Sequence, residues 1–137
     1  IVGPRVLCDW IRNAARAYIY TTASPPMLCA AASKALEIVQ SQPQRREKLL
    51  HLAEYLRTGL QQIGLDTRGS VSQIIPVVIG DAGRTFELSR KLLDEGFLIP
   101  AIRPPTVPPG TSRLRLSLCS GHEKSDIDAL LGTLKTI

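Results

Sequence analysis

A chain of 137 residues with 44% apolar, 21% charged and 4% aromatic side chains fits one compact domain, alone or with an extra arm, and excludes a disordered or fibrous protein. Its 17 basic residues outnumber 12 acidic ones for a net charge of +5, but they are scattered; the one tight run, Arg45-Arg46-Lys48, is interrupted by Glu47, and with so few aromatic rings nucleic-acid binding is not expected. Cys8, Cys29 and Cys119 are odd in number and lack any CxxC pair, which argues against a disulfide framework or zinc site and fits a reducing cytoplasm, and no apolar run reaches membrane-spanning length.

The opening IVGPRVLCDWIRNAAR interleaves Arg5, Asp9, Arg12 and Arg16 with its apolar residues. It is therefore not a secretory signal, and with no initiating Met it is expected to lie inside a longer chain. Val6, Trp10, Ile11 and Ala14 fall at helical spacing and predict a helix from Arg5 to Ala17. Tyr18–Ala23, β-branched and aromatic, predicts a short extended segment. Ser24 before Pro25 predicts a helix start with Ser24 as N-cap and Pro25 first in the helix, which runs to about Ser41. That helix is apolar nearly all round in its first two turns and calls for burial on several sides.

Pro43 opens a further helix to about Ile63, with a stripe of Leu49, Leu52, Ala53, Leu56, Leu60 and Ile63 closed by Gly64. Gln73–Ile79 predicts a strand, and Pro76 marks it as an edge or irregular one. Asp81–Glu95 is helical with Gly96 as its stop, Phe97–Ile102 a second strand and Arg113–Cys119 a third. Ser125 is the expected cap of the last helix, whose buried face is Ile127, Leu130, Leu131, Leu134 and Ile137. The fold class expected is α+β: a small three-stranded, mostly antiparallel sheet covered by helices and preceded by an N-terminal helical arm. The boundary falls between an arm of residues 1–42 and a domain of residues 43–137.

There is no GxGxxG, Walker A or GxSxG pattern, and His122-Glu123 has no second histidine at metalloprotease spacing. His51 reads as a helix-surface residue and His122 as structural at the strand-to-helix corner. What stands out is AIRPPTVPPGTSRLRLSLCSGH, residues 101–122. Two proline pairs stiffen a loop after Arg103. The following strand then sets Leu114, Leu116 and Leu118 on one face and Arg113, Arg115 and Ser117 on the other. Guanidiniums so placed, with Arg103 as a third on the loop, are expected to act as an anion clamp, since their planar fork grips a carboxylate or phosphate through two bonds; of the three, Arg113 reads by itself as a structural residue, solvated on the strand or in a salt bridge. Thr21-Thr22, just ahead of a helix start, are a second candidate anion contact.

Taken in order, YTTASPPMLCAAASKALEIV, SQIIPVVIGD and AIRPPTVPPGTSRLRLSLCSGHEKSDIDALL resemble the C-terminal part of the pyridoxal-phosphate-dependent α-oxoamine synthases, along nearly the whole chain. The resemblance implies a homodimer of the fold type I, aminotransferase-like class that uses pyridoxal 5'-phosphate. Arg103-Pro104, where sibling branches usually carry tyrosine-proline, favours the branch that condenses L-alanine with a pimeloyl thioester of CoA or a carrier protein. By resemblance Arg115 matches the arginine that holds the amino acid's α-carboxylate. Arg103 matches a position that can meet an anionic substrate or product group, and Thr22 the hydroxyl given to the cofactor phosphate across the dimer interface. The family's Schiff-base lysine lies in a Gly-rich segment upstream. None of Lys34, Lys48, Lys91, Lys124 and Lys135 matches it, so no catalytic residue is expected in these 137 residues, which read as a fragment inactive alone. A sibling synthase with another acyl thioester and a non-catalytic binding or dimerisation module stay open as alternatives.

Overall fold

The computed structural model describes residues 3–136. Ile137, assigned above to the last helix's buried face, lies outside them. The chain divides into two compact units, residues 1–41 and 42–137.

In the first unit, α1 (Arg5–Ala14) ends where Ala15 turns extended, and α2 (Arg16–Ile19) follows at once. The extended segment expected over Tyr18–Ala23 does not begin at Tyr18: Tyr18 and Ile19 are helical and Tyr20 closes a turn. The amides of Tyr18 and Ile19 bond the Ala15 carbonyl at 2.9 and 3.0 Å, and Tyr20 bonds that of Arg16 at 3.1 Å. A strand satisfies its backbone only through a neighbouring strand, and this unit has none among its described residues, so local bonds prevail over β-propensity. The next helix, α3 (Pro26–Ser41), starts one residue later than expected. The Pro25 carbonyl accepts its first bond, from Leu28, which places Pro25 rather than Ser24 at the cap position and Pro26 at N1. No described residue of this unit is buried.

The second unit begins with α4 (Pro43–Gln62), Pro43 at its first position. It ends in a motif that requires a left-handed residue. Gly64 has φ +78° and donates to Gln61, while Leu65 donates to Leu60. Strand β1 (Ile74–Gly80) leads into α5 (Ala82–Asp94), capped by Asp81, whose Oδ1 accepts the Arg84 amide at 2.7 Å. Strands β2 (Ala101–Ile102) and β3 (Ser112–Ser117) and helix α6 (Lys124–Thr136) complete the unit. The sheet order is β1-β3-β2, with both pairings antiparallel, so the expected small antiparallel sheet with helices is found. Pro76 does sit in an edge strand.

Two of the departures from the expected boundaries have a clear local cause. β2 is two residues long rather than the six of Phe97–Ile102, because the stretch before it is committed to α5. The Phe97 amide bonds the Leu92 carbonyl at 2.7 Å, the Ile99 carbonyl accepts Ser89 Oγ at 2.5 Å, and Pro100 has no amide to give. Helix α6 begins at Lys124, ahead of Ser125. Glu123 holds the cap position, its amide bonded at 2.8 Å to the Asp126 carboxylate three residues on, which is one half of a capping box.

All three helices contribute to one core. Leu52, Ala53, Leu56 and Leu60 of α4, Leu92 of α5 and Ile127 and Leu130 of α6 bury Ile75 and Val77 of β1 and Leu114 and Leu116 of β3. Each such leucine withdrawn from water is worth about 1.5–3 kcal/mol, so the apolar face of the sheet dominates the energetics. Helices α4 and α6 approach closely where Gly59 faces Leu131; a Cβ at Gly59 would collide with that side chain. Beside this contact, the Tyr55 hydroxyl donates to Asp128 Oδ1 at 2.6 Å. Lys124 Nζ lies 4.7 Å from the Tyr55 ring centroid and 3.5 Å from Asp128 Oδ2.

This cluster makes stability depend on pH at both extremes. The Tyr55 hydroxyl, and then the Lys124 charge, hold the Asp128 carboxyl below its ordinary range. Its contribution is therefore present above the unfolded carboxylate's pKa of about 4 and is lost as pH falls through the lower folded value. Tyr55, and then Asp128, raise the Lys124 ammonium above its ordinary range, so its contribution is present below about pH 10.4 and is lost as pH rises through the folded value. Tyr55→Phe is expected to be less stable than wild type at pH 7, with a deficit that shrinks below about pH 4. Urea unfolding at pH 7 and pH 3 checks this; an unchanged deficit would remove Asp128 from the account.

Candidate anion-binding face

Residues directly opposite in an antiparallel pair share a face. Ile74, Pro76 and Val78 of β1 lie opposite Ser117, Arg115 and Arg113 of β3, and Ile102 of β2 lies opposite Arg113. These residues form the face of the sheet turned away from the core, while Leu114 and Leu116 between them are buried. The alternation read from the sequence is thus realised, and it aims two arginines outward.

The two are not equivalent. Arg113 is half-buried and its Nε donates to the Thr111 carbonyl at 2.9 Å, so it fastens the strand to the preceding turn. Arg115 is exposed, and among the described residues its guanidinium has no hydrogen-bond or ion-pair partner. Its backbone is fixed on both sides: the amide donates to Pro100 at 3.1 Å, and Pro76 lies opposite on β1. A free guanidinium on an immobilised strand suits binding a carboxylate, because little backbone order remains to be acquired on binding.

Arg103 is not brought to this face. Ala101 pairs with inward-facing Leu114 and Ile102 with outward-facing Arg113, so the next step of the alternation turns Arg103 toward the helix layer. There its guanidinium lies 4.8 Å from the centroid of Phe86 of α5. The loop that follows is stiffened as expected, by two turns: Thr106 donates to Arg103 at 3.0 Å and Thr111 to Pro108 at 3.2 Å, the second with Pro109-Gly110 at its centre. The three arginines thus have three different surroundings: Arg113 is tied to the preceding turn, Arg115 is unpartnered among the described residues on the outer face, and Arg103 lies against Phe86. From the sequence Phe86 is read only as one of the residues, with Ser89, Leu92 and Leu93, whose spacing makes Asp81–Glu95 helical; its contact with Arg103 has no sequence signal.

Thr22 lies in the first unit, exposed in the turn between α2 and α3. Neighbouring Thr21 is engaged, its hydroxyl donating to the Ala17 carbonyl, whereas the Thr22 hydroxyl has no partner among the described residues. Of the two, Thr21 is engaged within its own unit, and Thr22 is the one that the resemblance matches to a phosphate contact. The lysines are all in regular structure. All five are on helices, where Lys34 pairs with Glu37, Lys48 with Glu123 and Lys124 with Asp128. His122 is structural: its Nδ1 accepts the Cys119 amide at 3.1 Å and closes the turn between β3 and α6. A cleft of about 590 Å³ lies between residues 95–99 and α6, but neither Arg103 nor Arg115 lines it. Among the described residues no cluster of His, Cys, Asp and Glu could hold a metal ion.

Comparison with known proteins gives a consistent result. The family described as aminotransferase class I and II matches residues 1–134. The 8-amino-7-oxononanoate synthase of Pseudomonas entomophila is 46% identical over 134 residues, 98% of this chain and 34% of that protein. The 8-amino-7-oxononanoate synthase 2 of Bacillus subtilis is 44% identical over 135 residues, 98% of this chain and 35% of its own length. Among solved structures, a serine palmitoyltransferase from S. paucimobilis with bound PLP-myriocin aldimine matches with a TM-score of 0.86 and 31% identity, over 93% of this chain and 33% of that one. The chain spans about a third of the length of the curated relatives it matches.

The difference between the two outward arginines is measurable without any ligand. Arg115→Met is expected to change unfolding stability by no more than about 0.5 kcal/mol, as for a surface side chain without partners. Arg113→Met loses a half-buried hydrogen bond and is expected to cost about 0.5–1.5 kcal/mol. Denaturant midpoints of the two variants test this ordering, and a reversed order would assign Arg115 a structural task.

Proposed function

Because this chain belongs to the aminotransferase class I and II family, we propose that it is the C-terminal part of an 8-amino-7-oxononanoate synthase acting as a homodimer in the cytoplasm. The reaction is the decarboxylating condensation of L-alanine with a pimeloyl thioester, which releases carbon dioxide and the carrier thiol in biotin biosynthesis. The single observation that carries this reading is the unpartnered guanidinium of Arg115 on an otherwise rigid strand. The identity to synthases of that name supports the choice of substrates.

Pyridoxal 5'-phosphate, when bound, supplies the electron sink that makes the α-carbon of the amino acid nucleophilic. The chain's own residues bind and orient. Arg115 takes the α-carboxylate of alanine through two parallel N–H donors, which fixes the plane of the group that departs as carbon dioxide. Thr22 donates its hydroxyl to the cofactor phosphate of the other subunit. Arg103 meets the anionic far end of the acyl chain. No lysine of this chain serves as the covalent anchor, so the 137 residues by themselves bind no cofactor covalently and are inactive.

In the full-length enzyme, Arg115→Met is expected to lower kcat/KM for L-alanine about 100-fold, the loss of a charge-assisted contact of about 3 kcal/mol, while the cofactor's absorbance is retained. Activity within a few-fold of wild type would overturn the carboxylate role. The 137-residue chain, mixed with pyridoxal 5'-phosphate and dialysed, is expected to keep no visible absorbance band. A band that survives dialysis would mean that one of its own lysines anchors the cofactor.

A further inference from the structure

Helix α5 spends its buried positions on Thr85 and Leu92, and Phe86 is not among them; the residue is 44% exposed. Burial therefore does not account for an aromatic residue there. What its ring does contact is Arg103, at 4.8 Å from the centroid. One turn further along α5, Ser89 Oγ bonds the Ile99 carbonyl at 2.5 Å and so fixes the backbone four residues before Arg103. The same side of α5 thus holds the chain entering β2 and the side chain leaving it. Arg103 itself stands at a boundary, between a strand registered on β3 and a turn closed by the Thr106 amide on the Arg103 carbonyl.

We infer that Phe86 is a positioning residue for the acyl substrate: its ring parks the Arg103 guanidinium on the helix side of the sheet, and Arg103 leaves that ring when a carboxylate at the far end of the acyl chain takes its place. The inference rests on the assignment of Arg103 to that carboxylate. Magnitudes decide that the exchange is feasible. An exposed cation–π contact favours the parked position by about two- to fivefold. A guanidinium–carboxylate pair favours the substrate by about tenfold or more. The ring is strong enough to hold Arg103 when no dicarboxylic chain is present and weak enough to yield to one. It acts on one class of acyl chain only: a chain ending in methyl does not draw Arg103 from the ring, so the ring lowers the apparent affinity for the dicarboxylic chain and leaves that for the other unchanged.

The test uses the full-length enzyme with pimeloyl thioester and, as internal reference, heptanoyl thioester, which has the same number of carbons and no terminal carboxylate. Replacing Phe86 by mono-, di- and trifluorinated phenylalanine withdraws electron density from the ring at nearly constant shape. The KM for pimeloyl thioester is expected to fall stepwise along that series, by two- to fivefold in total, with kcat and the heptanoyl KM unchanged. Phe86→Trp, with the better cation-binding ring, is expected to raise it. A role in packing alone would leave the ratio of the two KM values unmoved along the series, and that outcome overturns the inference, as does a pimeloyl KM that rises with fluorination. Arg103→Met separates this from the underlying assignment. If that variant keeps its preference for the pimeloyl thioester, Arg103 is not the carboxylate contact and the inference falls with it. If the preference collapses in Arg103→Met while the fluorinated series is flat, the assignment of Arg103 stands and Phe86 alone is excluded.

Discussion

The register of β3 is the constraint on which the rest of the second unit depends. With a side-chain period of two, a slip of one residue would carry Arg113 and Arg115 into the core and Leu114 and Leu116 into water. Burying the two leucines is worth about 3–6 kcal/mol together, and burying an unpaired guanidinium costs several more, so the two registers are far apart in energy. The backbone adds to this from both flanks: β1 pairs along nearly the whole strand, and the Pro100 carbonyl takes the Arg115 amide on the other side. Where a functional side chain must be aimed within a fraction of an ångström, the centre of a sheet is the stiffest support available.

Arg103 has the opposite mechanical setting. It follows a two-residue strand, and its side chain is exposed and lies against a ring that is itself partly exposed rather than in the core. The contrast suits the tasks proposed for the two arginines. The carboxylate of a small amino acid is always the same distance from the reacting carbon and benefits from a fixed partner. The far end of a flexible acyl chain arrives with more freedom, and a partner that can change position tolerates it. Ser89 limits that freedom to the side chain by fixing the backbone at Ile99.

Much of this was readable in the residues because the determinants are local. Alternation in RLRLSL gives the two faces of β3, and the Pro43 start and Gly64 stop of α4 follow from fixed φ in one case and positive φ in the other. Pro76 as an edge residue is decided by chemistry within a few positions. The misreadings share a cause. At Tyr18–Ala23 β-propensity pointed to an extended segment, yet Tyr18–Tyr20 satisfy their backbone through local helical bonds. Phe97–Pro100 has strand-like residues whose hydrogen bonds are claimed by α5. Arg103 and Phe86 meet across elements, and no periodicity reports such a contact. Thr21 and Thr22 differ only in which hydroxyl reaches the Ala17 carbonyl, a matter of helix geometry rather than of residue type.

The first unit shows how differently two parts of one chain can encode structure. In residues 42–137 each element is specified twice, once by its own caps and turns and again by the core it enters. In residues 3–41 only the first specification is present: local hydrogen bonds define α1, α2 and α3, while Trp10, Tyr20, Met27 and Leu36 remain exposed. Helices of ten and four residues are marginal on local bonds alone, since most helical stability comes from burying an apolar stripe. The side chains of this unit are therefore chosen for surfaces outside it. In the proposed homodimer such surfaces are those of the rest of the enzyme and of the second subunit. Thr22 would then owe its position to assembly, whereas Arg115 owes its own to the register of a single strand.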